Sequence, residues 1–74
     1  MIFERVRDII VKQLEVNEDI VKMETSFTDD LDVDSLTLIE LIADFEDEFG
    51  IEIEEDKLED MKTVKDVVDY LEAL

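Results

Sequence analysis

The serine at position 35 is the residue whose surroundings could do chemistry. It stands in the run Asp30-Leu31-Asp32-Val33-Asp34-Ser35-Leu36-Thr37-Leu38-Ile39-Glu40-Leu41, where an acidic stretch gives way to a helical pattern. A catalytic serine needs a base to take its proton and usually a third group to orient that base. The chain contains no histidine, and no lysine follows at the spacing of serine–lysine hydrolases. Serine catalysis is set aside on those grounds, and the chain is read as a non-enzyme. A structural reading competes: serine is a favoured helix N-cap, satisfying an orphan backbone N–H. The two uses are compatible, because a serine at a helix start is exposed and faces the positive end of the helix dipole. A phosphate ester placed there would be stabilised by that dipole. Ser35 is therefore read as a covalent attachment point.

The alternating Asp30, Asp32 and Asp34 invite a metal reading, since they mimic the opening of a calcium loop. Continuing that template demands glycine at Ser35 and glutamate at Leu41; both positions fail, and Glu40 comes one residue early. No metal site is assigned. With no cysteine there is no disulfide framework and no thiolate nucleophile, which suits a reducing compartment. The net charge of -17, from 24 acidic and 7 basic side chains, excludes nucleic acid, whose phosphates it would repel. It disfavours anionic membrane surfaces and favours partners with basic patches, steered by the field. No apolar run reaches membrane-spanning length, so no membrane insertion is expected. The N-terminal residues show no cationic leader before an apolar run, and a cytoplasmic location is expected.

The elements that must position Ser35 follow from periodicity. At 74 residues with 46% hydrophobic residues, one compact domain over residues 1–74 is expected. Phe3, Val6, Ile10 and Leu14, with Ile9 beside them, predict an amphipathic helix from Ile2 to Leu14 that turns Arg5, Arg7, Lys12 and Gln13 outward. From Glu15 to Asp34 the period breaks into a long loop anchored by Ile20, Val21, Met23, Phe27, Leu31 and Val33, with Ser26 or Thr28 able to cap a single turn. A second helix runs from Ser35 to Phe49 and stops at Gly50, the sole glycine. Its core stripe is Leu38, Leu41, Ile42, Phe45 and Phe49. Leu36 and Ala43 fall on the opposite side beside Glu40 and Asp47, flanked by Ile39 and Glu46. A small apolar strip rimmed by carboxylates reads as a partner-docking face. Ile51 to Glu54 reads as an extended connector whose isoleucines plug the core, and Glu55 to Met61 as a short third helix with Leu58 and Met61 inward. Thr63 caps the last helix, with Asp66 completing a capping box, and Val64, Val67, Val68, Leu71 and Leu74 are the candidates for its stripe. The expected fold is all-α: a bundle of three main helices plus one short helix, with a long loop between helices 1 and 2.

Over essentially its whole length the chain resembles the acyl carrier proteins, in particular the small freestanding ones of bacterial type II fatty-acid synthesis. The resemblance rests on Arg5-Val6, Ile9-Ile10 and Gln13-Leu14 in the first helix, and on Ser26-Phe27 and Asp30-Leu31 in the loop. It continues in Asp34-Ser35-Leu36 with Glu40-Leu41, in Phe45 through Phe49, and in Thr63-Val64 with Asp69-Tyr70-Leu71. It implies that Ser35 receives 4'-phosphopantetheine from coenzyme A through a separate, magnesium-dependent phosphopantetheinyl transferase. The arm's thiol would carry acyl groups as thioesters. It further implies that enzymes with basic patches dock on Asp34, Leu36, Glu40, Ala43, Glu46 and Asp47. The acyl chain would shelter between helices against Phe45, Ile53 and Leu58. Three departures from the family pattern stand out: Thr37 for a common acid, Asp32 for a common glycine, and Glu54-Glu55 for a common proline–acid pair.

Two other functions remain open at this stage. One is a carrier of the same fold for a polyketide, aminoacyl or other specialised cargo. The high acidity and the aspartate before Ser35 favour the fatty-acid assignment over that one. The other is an unmodified acidic interaction module in which Ser35 only caps a helix. High like charge favours a monomer in either case.

Overall fold

The computed structural model describes residues 1–74, leaving aside the side chain of Glu55. Among the described residues four α-helices form: α1 (Ile2–Leu14), α2 (Ser35–Phe49), α3 (Glu55–Leu58) and α4 (Val64–Glu72). A single 3-10 turn, Glu18–Ile20, follows α1, capped by the Asn17 side chain. The all-α expectation holds, and α1 is the hub, packing against both α2 and α4.

The core is one cluster drawn from α1, α2, α4 and the connecting segments. Val6 and Ile10 of α1, Leu41, Ile42 and Phe45 of α2, and Val64, Val67, Val68 and Leu71 of α4 are buried, joined by Val21, Phe27 and Val33 from the loop. Helix ends fall where backbone chemistry requires. Gly50 takes φ 64° at the end of α2, a left-handed stop that only glycine reaches without strain. Thr63 and Asp66 form the reciprocal capping box of α4: Asp66 N–H donates to Thr63 Oγ1, and Thr63 N–H donates to Asp66 Oδ2.

The long loop is held by more than its apolar anchors. Phe27 N–H donates to the Lys62 carbonyl and Val64 N–H to the Thr25 carbonyl, an isolated antiparallel bridge between Ser26 and Thr63. Buried Thr25 accepts from Lys22 N–H and donates to the Ile20 carbonyl, closing the preceding turn. Ser26 caps the next turn, as expected of Ser26 or Thr28. Its hydroxyl accepts from Asp29 N–H, while Asp30 Oδ2 accepts from Ser26 N–H at 2.7 Å.

Several expectations are corrected. Ile20 is 48% exposed and Leu74 69% exposed, so neither anchors the core. Helix α3 ends at Leu58, and Met61 reaches the core from the turn after it. Arg7 is half-buried, its Nε sealed without a partner and its guanidinium 5.6 Å from the Phe3 ring, because α1 rotates it towards its own apolar edge.

Candidate functional site

The site is built on the first turn of α2, and its first feature is a correction. The N-cap is Asp34, not Ser35: Asp34 is extended (φ -85°, ψ 177°), and its Oδ1 accepts from Thr37 N–H at 2.8 Å. The Thr37 backbone N–H, with the Thr37 hydroxyl second, holds the Asp34 carboxyl below its usual range. Ser35 is therefore the first helical residue. It is exposed, and its hydroxyl makes no hydrogen bond among the described residues. The cap that a lone serine would have supplied is already in place, which leaves the Ser35 Oγ with no structural duty.

The three alternating aspartates have separate local roles. Asp30 closes the Ser26 turn, Asp34 caps α2, and Asp32 takes the left-handed conformation at φ 53°. Aspartate tolerates that conformation better than most residues, so the turn survives where glycine would be the easier choice. The result delivers the chain into α2 with Val33 buried behind Ser35 and the hydroxyl outside.

Along α2 from Ser35 lies the strip read from the periodicity. Leu36 is 67% exposed and Ile39 53% exposed, with exposed Ala43, Glu40 and Asp47 around them. Asp34 is exposed as well. Glu46 differs: it is half-buried, and its Oε2 accepts from Ile53 N–H at 2.6 Å. Ile39 belongs to the strip more fully than its flanking position suggested. The spacing of Leu36, Ile39 and Ala43 at i, i+3 and i+7 carried that signal.

Beside this strip, α2 and the connector to α3 enclose an open groove of about 600 Å³, lined by Ile39, Ile42, Ala43, Glu46, Ile53 and Leu58, with Glu52 at its rim. A second hollow of about 480 Å³ lies on the other side of Leu58, where Phe27, Leu38 and Met61 meet it. Both sizes are typical of small-molecule sites. Of the lining expected for an acyl chain, Ile53 and Leu58 are in place. Phe45 lines neither space, being fully buried in the core.

A phosphopantetheine arm fits the Ser35 position in three ways. The hydroxyl is free and exposed, the first-turn N–H groups of Ser35 and Leu36 find no protein acceptor among the described residues, and a groove with both apolar and glutamate walls opens further along the same helix. The neighbouring aspartates would repel an unattached anionic phosphate, so such a group needs a covalent bond to stay.

Comparison with known proteins covers nearly the whole chain. The family model described as "Phosphopantetheine attachment site" matches residues 4–71. The acyl carrier protein of Petrotoga mobilis is 53% identical over 70 residues, covering 95% of this chain and 82% of that protein. That of Clostridium acetobutylicum is 48% identical over 73 residues, covering 99% and 95%. Among solved structures, the acyl carrier protein from Enterococcus faecalis superposes with a TM-score of 0.81 at 33% identity, covering 97% of this chain and 91% of that one. With an all-α bundle, an unengaged serine opening α2 and near-full-length similarity at this level, the chain belongs to the phosphopantetheine-bearing acyl carrier protein family.

Proposed function

We propose that residues 1–74 form one carrier unit, with Ser35 the attachment point of 4'-phosphopantetheine, and that it holds acyl intermediates of fatty acid biosynthesis as thioesters without catalysing their reactions. The observation that supports this most is the division of labour at the start of α2, where Asp34 caps and Ser35 is left unengaged. When attached, the arm supplies a thiol to a chain that has no cysteine of its own.

The chain has no histidine, and the carboxylate next to Ser35 is engaged as the α2 cap, so this reading assigns attachment to a separate transferase. Its oxygen bonds to the pantetheine phosphorus of coenzyme A, the diphosphate P–O bond breaks, adenosine bisphosphate leaves, and the serine proton passes to the enzyme. The chain's contribution is to hold the hydroxyl out on a rigid first turn and to present a handle. Asp34, Leu36, Glu40, Ala43 and Asp47 are exposed beside it, an apolar strip among carboxylates that suits transferases and acyl-processing enzymes carrying basic patches. The groove of Ile39, Ile53 and Leu58 would shelter the acyl chain. No described helix is long and apolar enough to cross a membrane. A monomer working in the cytoplasm completes the reading.

Intact mass after incubation with coenzyme A, magnesium and a phosphopantetheinyl transferase tests the assignment. Wild type gains one phosphopantetheine and Ser35→Ala gains none. An unchanged wild type, or an equal gain in the variant, defeats it.

A further inference from the structure

The connector after α2 raises a problem of backbone accounting, and its solution lies on the wall of the groove. Ile51 to Glu54 joins no helix or strand, so its N–H groups have no ladder to join. Exposed residues can turn to water. Ile53 cannot, because it is buried at 7% exposure and an unpaired N–H there is costly. The acceptor comes from one turn before the end of α2: Glu46 Oε2 meets Ile53 N–H at 2.6 Å. The same residue's carbonyl accepts from the N–H groups of Gly50 and Ile51, the latter at 3.1 Å. Glu46 thus grips the returning chain at three points, two by backbone and one by side chain.

We infer that Glu46 is a positioning residue for the carrier's cargo: its carboxylate latches Ile53 and so sets the wall of the groove in which the acyl chain lies. This rests on the proposed carrier reading and adds to it a residue that acts through another. Glu46 and Ile53 line the groove together, facing Leu58, so the bond spans the groove's own boundary. The backbone carbonyls hold residues 50 and 51 whatever the side chain is. Only the carboxylate reaches Ile53, and without it the connector is free to swing where the groove needs a fixed side. A carboxylate acceptor makes a charge-assisted bond, about twice as strong as a neutral one. This also separates Glu46 from Glu40 and Asp47. Their carboxylates are exposed on the same helix and make no hydrogen bond among the described residues, whereas one oxygen of Glu46 is already committed inward.

Amide hydrogen exchange at Ile53, read by NMR on the full chain, tests the latch. Glu46→Ala should speed exchange at Ile53 by about tenfold or more, the loss expected for one charge-assisted bond. Glu46→Gln keeps an acceptor of the same reach and should stay within about threefold of wild type. It also serves as the folded control should the alanine variant unfold. Unchanged Ile53 exchange in a folded Glu46→Ala, or loss of protection in a folded Glu46→Gln equal to that expected of alanine, overturns the latch.

The cargo role is read separately by loading Ser35 with an octanoyl-phosphopantetheine arm from octanoyl coenzyme A. Methyl resonances of Ile39, Ile53 and Leu58 should shift on acylation in wild type and in Glu46→Gln, and shift less in Glu46→Ala. Equal shifts in all three proteins would show that the latch does not shape the groove. Loading without methyl shifts in wild type would overturn the groove as the chain's shelter, while failure to load at all would overturn the carrier reading beneath it.

Discussion

Asp34 and Ser35 meet at the start of α2, where either residue type could cap the helix. Aspartate and serine are both good N-caps, so the residue types alone do not assign the cap. Backbone geometry does: extended ψ at Asp34 aims its carboxylate at Thr37 N–H and makes Ser35 the first helical residue. That bond holds the folded carboxyl below its ordinary value of 3.8. A depressed folded value means the contribution to stability is full above pH 3.8 and is lost as pH falls through the lower folded value. Asp34→Asn keeps an acceptor without a titrating charge. Its melting temperature should therefore stay near wild type at neutral pH and fall less steeply below pH 3.8. Asp34→Ala should melt lower than both at neutral pH. Thermal melts followed by circular dichroism across that range check the order, and a wild-type acid slope equal to that of Asp34→Asn would contradict it.

Helices α1 and α2 both end on a left-handed residue, Glu15 and Gly50, and α4 begins on a capping box. Gly50 shows the left-handed end in isolation, because a Cβ there would meet nothing within 4 Å. Gly50→Ala should then cost only the left-handed backbone penalty, about 1–2 kcal/mol, and Gly50→Asn less. Urea unfolding would read both, and a neutral alanine would show that the turn relaxes. Gly50, the Thr63–Asp66 box and the stripes of α1, α2 and α4 were legible in the sequence because caps and 3.6-residue periods are local signals. The exposed strip from Leu36 to Asp47 was legible for the same reason, as was the left-handed tolerance of Asp32. What stayed hidden was long-range. The Ser26–Thr63 bridge, the Glu46–Ile53 bond and the pairing of Arg5 with Glu48 join segments whose spacing repeats nothing. Ile20 misled because an apolar residue in a loop reads as an anchor, whereas the 3-10 turn leaves it half outside. Leu74 misled because α4 ends at Glu72, before its stripe can reach that far.

At the scale of the molecule, a net charge of -17 on 74 residues works against the fold through self-repulsion. Few cations offset it. Arg5 is the best placed, with one guanidinium N 2.7 Å from Glu48 Oε2 and the group 4.4 Å from the Phe49 ring centroid, so that it ties α1 to the far end of α2. Both ends of that ion pair are about half exposed, and it cannot balance a surface of uncompensated carboxylates. Added sodium chloride or magnesium should therefore raise the melting temperature from its low-salt value, through screening in the first case and carboxylate binding in the second. A melting curve insensitive to both would show that self-repulsion is not a material cost. Whether acyl groups travel on Ser35 is answered by intact-mass analysis of the protein taken from its own cells, before and after hydroxylamine. The expected result is a phosphopantetheine increment bearing acyl groups that hydroxylamine removes as thioesters, all absent from Ser35→Ala expressed in the same cells. An unmodified wild-type chain, or acyl groups that persist in Ser35→Ala, would contradict it.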